Sequence, residues 1–264
     1  MNPEASSISA PDPRSIRARW IGHATVVVEA EGVRVLTDPV LEPKVGLLRN
    51  RVPVPAGRPV PDVDAVVISH EHYDHLHLRS LRRLGRDVPL IVPRGLGIWL
   101  VQRGFHNITE VSVGEQVTIR AMTVEATRAE HGDEATPGRP RSRRIGFLFS
   151  SPTHRAYFAG DTDLFDEMTA IGRQLDLALL PVWGWGREPP AGHLTPDRAA
   201  EALTRLQPRV AVPVHWGTLR PIGAPALSEK KRLEPARAFE EHARRQAPGV
   251  EIRVLQPGES TIVV

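Results

Sequence analysis

Three histidines and two carboxylates stand within eight residues in the segment SHEHYDHL, Ser69 to Leu76. His70 and His72 are two residues apart on chain that follows a short apolar run, so on an extended strand both rings point the same way. Asp74 and His75 stand at the turn into a predicted helix and can face a second ion. One histidine is usually a structural residue, whereas three at this spacing are typical of a metal site.

Four side chains are too few to complete two metal sites, so further histidines or aspartates must come from other strand ends. Three residues fit, each after a predicted strand: His131, Asp161 and His215. We predict one ion among His70, His72, His131 and Asp161, and a second among Asp74, His75, Asp161 and His215. The shared Asp161 carboxylate would offset the repulsion between two cations. The chain has no cysteine, so only nitrogen and oxygen ligands are available.

Three further residues are candidates for supporting the chemistry. His193, in AGHLTP, is a candidate proton donor or oxyanion-binding group, with an ordinary helix-flanking histidine as the alternative. His23, in IGHAT, and Asp38, in LTDP, are candidates for orienting the ligand imidazoles, with a purely structural role as the alternative. Asp74 is expected to orient the attacking hydroxide while it holds the second ion.

Hydrophobic periodicity and turn signals predict the elements that must position these residues. Residues 20–39 predict strands with a hairpin turn at Glu31-Gly32. Further along the chain, the patterns predict strands over 64–68, 88–93, 175–183 and 209–217, strand pairs over 108–127, a helix through Leu78, Leu81 and Leu84, a short helix over 95–103, a helix capped by Thr195, and a charged helix over 234–246.

Two segments have ambiguous roles. Six prolines between Pro39 and Pro61 predict a long loop without regular structure, which is either the rim of a substrate site or a surface excursion. The densest basic cluster is either a solvated loop or a group that holds an anionic substrate. Its members are Arg139, Arg141, Arg143 and Arg144.

Composition limits the class of protein. With 264 residues, 41% of them hydrophobic, and no linker-like break, residues 16–264 are predicted to form one domain after a disordered segment 1–15. The net charge of +3 is too small to indicate nucleic acid. No apolar run approaches the roughly 20 residues that a membrane span needs. The amino-terminal segment has no apolar signal sequence, so a cytoplasmic protein is expected.

The motifs SHEHYDHL, AGDTD and VPVHWGT resemble those of the metallo-β-lactamase-fold hydrolases. WIGHATVVVE, VLTDPVL, FAGDTD and HLTPDRAAEAL are similar to the branch that contains N-acyl-phosphatidylethanolamine phospholipase D and ascorbate-phosphate lactonase. The resemblance covers about residues 20–219. It implies an α+β (α/β) fold, a four-layer αββα sandwich, with two divalent ions, zinc or in some members manganese, at one edge. The ligand positions implied by the resemblance are His70, His72, Asp74, His75, His131, Asp161 and His215.

These observations predict a hydrolase in which a metal-bridging hydroxide attacks a phosphodiester in a small or lipid-like anionic substrate. Hydrolysis of a lactone or carboxylic ester is the second hypothesis, and a non-catalytic, metal-stabilised binding protein is the third. The spacing from His131 to Asp161 and from Asp161 to His215 leaves no room for a nucleic-acid-processing insertion. His72 stands where di-iron members tend to carry glutamate, which argues against redox chemistry.

Overall fold

The computed structural model describes residues 15–54, 60–132, 134, 136–183, 191–226 and 228–264. The predicted disordered segment 1–15 lies outside these ranges except for Ser15, which is buried. The division of the chain into that segment and one domain therefore remains a prediction.

The first half of the chain forms eight strands and two helices. They are β1 (Ile16–Gly22), β2 (Thr25–Ala30), β3 (Val33–Thr37), β4 (Lys44–Val45), β5 (Leu48–Asn50), β6 (Ala65–Val67), α1 (Leu78–Leu84), β7 (Leu90–Pro93), α2 (Gly97–Val101) and β8 (Ile108–Val111). The second half forms β9 (Gln116–Ile119), β10 (Met122–Arg128), β11 (Ile145–Ser150), β12 (Arg155–Phe158), α3 (Met168–Ile171), β13 (Leu177–Pro181), α4 (Pro196–Leu206), β14 (Val210–Val214), β15 (Leu219–Pro221), α5 (Glu229–Gln246), β16 (Glu251–Ile252) and β17 (Ser260–Val263).

Two seven-stranded sheets are built on one plan. The first has the order β17-β1-β2-β3-β6-β7-β8 and the second β16-β14-β13-β12-β11-β10-β9. In each sheet antiparallel strands give way to parallel ones, at the β3–β6 pair and the β12–β13 pair. The predicted hairpin at Glu31-Gly32 is confirmed, because both residues have positive φ (51° and 70°) between paired β2 and β3.

The sheets and helices form four layers. Buried side chains of both sheets, among them Trp20, Val28, Phe147 and Phe158, belong to one large core. Leu203 of α4 extends that core on the outer side of the second sheet. On the outer side of the first sheet, α1 and α2 pack in a separate apolar cluster with strands β3, β6 and β7. The predicted αββα sandwich is therefore confirmed.

Helix α4 begins where its capping signals predict. The Thr195 side chain accepts a hydrogen bond from the Arg198 backbone N–H, and Pro196 occupies the first helical position. The last helix was predicted to begin at Glu234, and this boundary is wrong. It begins at Glu229, because the Ser228 hydroxyl caps it, and it continues through Pro235.

The predicted unstructured loop between Pro39 and Pro61 is also wrong in part. Strands β4 and β5 form a hairpin inside it, and β15 pairs with β5 to complete a three-stranded sheet. Residues 55–59 of this loop lie outside the described ranges. The prolines do not interrupt the hairpin because Pro43 precedes it and Pro53 follows it.

The parallel strands bring their carboxyl ends to a common edge of the sandwich. Strands β3, β6, β12 and β14 are followed there by Asp38, His70, Asp161 and His215. Strands β1 and β10 run in the same directions as β3 and β12, so the segments after them reach the same edge. None of the helices in the described ranges combines the length and apolar character that crossing a membrane requires.

Candidate metal centre

Three histidines from two loops form the first group of possible ligands. Ring nitrogens of His70, His72 and His131 all lie within 4.8 Å of one another. The His131 Nδ1 atom contacts the Gly192 carbonyl oxygen at 2.9 Å, and the His70 Nδ1 atom contacts the Ser69 hydroxyl at 2.9 Å. These contacts leave the Nε2 atoms of His70 and His131 directed into the group.

The chemistry of this group fits a cation. Among the described residues the buried Nε2 atom of His70 has no hydrogen-bond partner, which is costly for a polar atom unless another ligand satisfies it. Burial, followed by the imidazoles of His75 and His72, holds the pKa of His70 well below its usual range. Burial also lowers the pKa of His72, and that of His131 to about 4. Neutral imidazoles with free lone pairs are the form that binds metal.

A second group forms around the other half of the motif. Asp74, His75 and His215 lie together with His23, with one ligand atom of each within 4.8 Å of the others. The Nε2 atoms of His75 and His215 face each other at 3.3 Å. The Asp74 Oδ2 atom lies 3.8 Å from the first of them and 3.9 Å from the second. Two imidazole nitrogens that face each other require a shared proton or a shared cation between their lone pairs.

Asp161 joins the groups. Its carboxylate lies 3.2 Å from His75 Nε2 and 3.1 Å from His215 Nε2. It also belongs to a group with His70 and His75, and to another with His131 and His193. The structure thus brings together all seven residues that the sequence predicts as ligands. Their role as ligands of two ions is a proposal.

Charge within the centre favours cation binding. Burial raises the pKa of Asp161, but the imidazoles of His215 and His75 outweigh it and hold this pKa well below its usual range. For Asp74, burial is likewise outweighed by His75 and His23, and its pKa is also well below usual. Burial lowers the pKa of His215 to about 4. Both carboxylates are therefore ionised at neutral pH.

His75 differs from the other imidazoles. Burial lowers its pKa, but the carboxylates of Asp161, Asp74 and Asp38 together raise it well above the usual value. In the metal-free protein His75 therefore carries a proton between these anions. A bound cation would take the place of that proton, because ligating imidazoles are neutral.

His193 lies inside the centre. Its Nε2 atom is 3.3 Å from the Asp161 Oδ2 atom, and its ring stands 5.1 Å from that of Trp183. It therefore lies within ligand distance of Asp161 and His131, closer than a residue that only flanks a helix would.

Asp38 contacts the His75 ring nitrogen that points away from the centre. Its Oδ2 atom lies 2.7 Å from His75 Nδ1, while its Oδ1 atom accepts the Ser69 backbone N–H at 2.7 Å. The carboxylate fixes the proton on Nδ1 and leaves Nε2 toward the centre. His23 contacts two expected ligands: its Nε2 atom lies 3.0 Å from the Asp74 carboxylate, and its ring lies 4.0 Å from the His215 ring. Its role in orienting them stays a prediction.

Backbone strain is concentrated at this edge. His23, Asp38 and His215 all have positive φ (53°, 33° and 67°) although none is glycine. Such conformations cost free energy and persist where surrounding contacts hold them. The His23 carbonyl accepts hydrogen bonds from the His215 backbone N–H and from the indole N–H of Trp20, at 2.9 and 2.8 Å.

Two glycines allow the loops to approach closely. A Cβ atom on Gly160, which has φ of 62°, would lie 2.9 Å from Ser69 Cβ. On Gly192, with φ of 84°, it would lie 2.6 Å from His131 Cα. The loop that carries Asp161 reaches the histidine motif, and the loop that carries His193 reaches His131, only because these two positions lack a side chain.

The arginine cluster holds the motif from outside. Arg144 forms a buried ion pair with Glu71 at 3.2 Å, and Arg139 donates hydrogen bonds to the carbonyl oxygens of Glu71, His72 and Leu76. Arg139 and Arg144 therefore support the histidine motif, and the hypothesis that the arginine cluster holds an anionic substrate stays a prediction. The alternation of HEH, which turns Glu71 away from His70 and His72, is the signal that could have revealed this support.

A small cavity opens onto the centre. It has a volume of about 150 Å³. Its walls include His72, Asp74, His131, Asp161, Trp183 and His193. Trp216, in contrast, is fully buried and stacks near Trp20, so it belongs to the core. Trp185 lies outside the described residues. A larger cavity of about 950 Å³, at the opposite edge of the second sheet, contains none of the expected ligands.

Comparison with known proteins places the chain in a family. The model of the β-lactamase superfamily domain matches residues 33–216. A metal-dependent hydrolase of Deinococcus radiodurans is 34% identical over 251 residues, which are 93% of this chain and 99% of that protein. The chain therefore belongs to the β-lactamase superfamily, and the predicted membership in its metallo-β-lactamase-fold hydrolases is confirmed.

Two further similarities are informative. N-acyl-phosphatidylethanolamine-hydrolyzing phospholipase D 1 of Caenorhabditis elegans is 33% identical over 228 residues, 76% of this chain. The chain spans 64% of that enzyme and 66% of each of three mycobacterial relatives. The solved structure of Igni18, a metallo hydrolase from Ignicoccus hospitalis, matches with a TM-score of 0.70 at 24% identity, covering 95% of this chain and 99% of Igni18. This last similarity supports the fold alone.

Proposed function

We propose that the protein is a hydrolase that cleaves a phosphodiester in a lipid-like anionic substrate with the help of two divalent metal ions. The observation that carries the proposal is the joining of two ligand groups through Asp161, which contacts both His75 and His215 and shares a group with His70. The donors are imidazole nitrogens and carboxylate oxygens, a set that suits zinc. Manganese is the alternative.

Two such ions would supply an activated water and polarise a phosphoryl oxygen, so no side-chain nucleophile is needed. The protein's own groups position that chemistry. Asp74 and Asp161 stay ionised, and Asp38 keeps the His75 Nε2 atom directed inward. His193 is the proposed proton donor to the leaving oxygen, because it lines the cavity beside Asp161.

The phosphodiester class is supported by one relative. The C. elegans protein, 33% identical to this chain, is named for hydrolysing N-acyl-phosphatidylethanolamine. The cavity of about 150 Å³ suits a small group such as a phosphate, so an attached acyl chain would have to lie outside it. A lactone could reach the same centre, so the bond cleaved must be tested directly.

The test is a substrate panel on fully metal-loaded protein. Bis(p-nitrophenyl) phosphate, p-nitrophenyl phosphate and a six-membered lactone would be compared under one buffer condition. We expect turnover of the phosphodiester, a large loss in Asp74→Asn, and no loss in Asp62→Asn, whose carboxylate is exposed. Rapid lactone opening without phosphodiester cleavage would contradict the proposal and support the lactonase hypothesis.

A further inference from the structure

A second cavity, of about 470 Å³, lies beside the three-stranded sheet of β4, β5 and β15. Its walls carry four cationic side chains: Lys44, Arg49, Arg51 and Arg220. Neither aspartate nor glutamate is among the described residues that line it. A concave surface lined by positive charges concentrates anions.

None of these four cations forms an ion pair with a carboxylate of the described residues. Other arginines of the described residues do form such pairs, for example Arg34 with Asp62 and Arg209 with Asp176. Burial, followed by the charges of Arg220 and Arg232, lowers the pKa of Arg51. Like charges are thus held close together without a counter-charge, an arrangement that costs free energy unless an anion is bound.

Arg51 also presents unsatisfied donors. Its Nε and Nη2 atoms are buried, and among the described residues they have no hydrogen-bond partner. A buried N–H donor without an acceptor lowers the free energy of unfolding, so Arg51 destabilises the protein when no anion is bound. Arg51 lines the neighbouring cavity, so an anion bound there would offset the charge of this under-satisfied guanidinium group. A guanidinium group offers paired N–H donors that match the oxygens of a phosphate.

The segment that carries Arg51 connects this cavity to loops of the metal centre. The Arg51 backbone N–H donates to the Thr218 carbonyl oxygen at 2.9 Å, three residues after His215. A Cβ atom on Gly22, which precedes His23, would lie 2.8 Å from the Val52 side chain. The segment that carries Arg51 therefore packs on the loops that carry two residues of the second ligand group.

Exposed apolar side chains stand at the end of the same small sheet. Leu47, at the turn between β4 and β5, is 85% exposed, and Ile222, after β15, is 49% exposed. The Ile222 backbone N–H donates to the Leu47 carbonyl oxygen at 2.9 Å, so the two residues are neighbours. Apolar residues beside basic ones are suited to a surface of anionic lipid.

We propose that this cavity is a binding site for a phosphate group, with Arg51 and Arg49 as its main donors. The phosphate could belong to a lipid headgroup or to a soluble phosphate compound, and the exposed Leu47 and Ile222 favour the lipid. The inference rests on the proposed phosphodiesterase activity only where it relates the phosphate in this cavity to the substrate of the metal centre. Its test measures binding, so it can fail while the proposed activity stands, or the reverse.

The first arm of the test uses inorganic phosphate and isothermal titration calorimetry on metal-loaded protein. We compare the double variant Arg49→Gln/Arg51→Gln with Arg244→Gln, which removes one exposed charge near the far end of α5. Phosphate bound to the metal ions is expected equally in the wild type and in both variants. A difference in phosphate affinity between the two variants therefore reports on the cavity. We expect at least about tenfold weaker binding at the cavity in the double variant and no change in Arg244→Gln.

Equal affinity and stoichiometry in the double variant and the control would overturn the proposal. Because Arg51 is partly buried, Lys44→Gln/Arg49→Gln serves as a second variant, with both changes at exposed positions. It should weaken binding several-fold with an unchanged melting temperature. An unchanged affinity in this well-folded variant would also count against the site.

The second arm distinguishes the sources of the phosphate. Metal-loaded protein is sedimented with phosphatidylcholine vesicles that contain or lack phosphatidic acid. A lipid phosphate predicts sedimentation that needs phosphatidic acid and that falls in Arg49→Gln/Arg51→Gln and in Leu47→Ser. A soluble phosphate compound predicts no sedimentation with either vesicle, while the calorimetric difference of the first arm remains.

Discussion

Replacing Asp38 by asparagine should weaken metal binding although no proposed ligand is changed. The carboxylate is fully buried, and its Oδ2 atom accepts from His75 Nδ1 at 2.7 Å. Its Oδ1 atom accepts the Ser69 backbone N–H at 2.7 Å. A backbone N–H can only donate, so the asparagine oxygen must occupy the Oδ1 place and the amide NH₂ must face His75.

His75 must then accept at Nδ1 and carry its proton on Nε2, the atom that faces His215 at 3.3 Å. A cation would have to displace this proton and reverse the tautomer. Loss of groups that orient metal-binding histidines lowers metal affinity by about 10–100-fold, which is about 1.4–2.7 kcal/mol. The exchange of charge-assisted hydrogen bonds for neutral ones should also lower the free energy of unfolding by about 1–3 kcal/mol.

The assay is a competitive titration of zinc against a chromophoric chelator, with protein metal content measured by elemental analysis. Asp62→Asn is the matched control, because it makes the same chemical change on an exposed side chain that pairs with Arg34. We expect Asp38→Asn to lose affinity for one ion per chain and to keep the other. Wild-type affinity and stoichiometry for both ions in a folded Asp38→Asn protein would refute the reasoning.

Three further predictions follow from the geometry. Asp161→Ala should lose metal and activity because its carboxylate joins both ligand groups, whereas His193→Ala should keep both ions and lose turnover; metal lost from His193→Ala would make that residue a ligand. Gly160→Ala should lower the free energy of unfolding by about 2–4 kcal/mol, because the backbone has positive φ and the new Cβ atom would lie 2.9 Å from Ser69 Cβ. Gly114 also has positive φ but faces open space, so Gly114→Ala should lower the free energy of unfolding by about 1 kcal/mol in the same melting experiment. The metal-free protein should lose stability as the pH falls from about 6.5 toward 4. The reason is that the pKa values of two buried imidazoles, His70 and His215, and of two partly buried ones, His72 and His131, are lowered. The unfolded chain therefore binds protons in this window and the folded chain does not. Chemical denaturation at several pH values measures this, and stability that rises on acidification would contradict it.

The expected ligands could be found from sequence because each stands directly after a strand with a clear apolar or β-branched pattern. Parallel strands must end at one edge, so residue type and local position were sufficient to bring His70, Asp161 and His215 together. Inner strands such as β6, β13 and β14 are continuous buried runs, as expected of strands that are covered on both faces.

The partners of the supporting residues come from distant parts of the chain, so a local pattern such as HEH can single out Glu71 but cannot identify its partner. The pairing of Glu71 with Arg144 appears only when the loop before β11 folds back on the histidine motif. Strand β5 pairs with β4 in a local hairpin, but its second partner, β15, lies far along the chain. His23 stands in a turn, where no periodicity reveals that its ring reaches Asp74.

The central claim is that two metal ions share one centre through Asp161. Elemental analysis of the purified protein, combined with zinc titration after chelation, tests it most directly. The ligand groups predict close to two ions per chain, with the second lost together with the first in Asp161→Ala. A single ion per chain at saturating zinc, or no metal and a melting temperature that chelation leaves unchanged, would contradict the account.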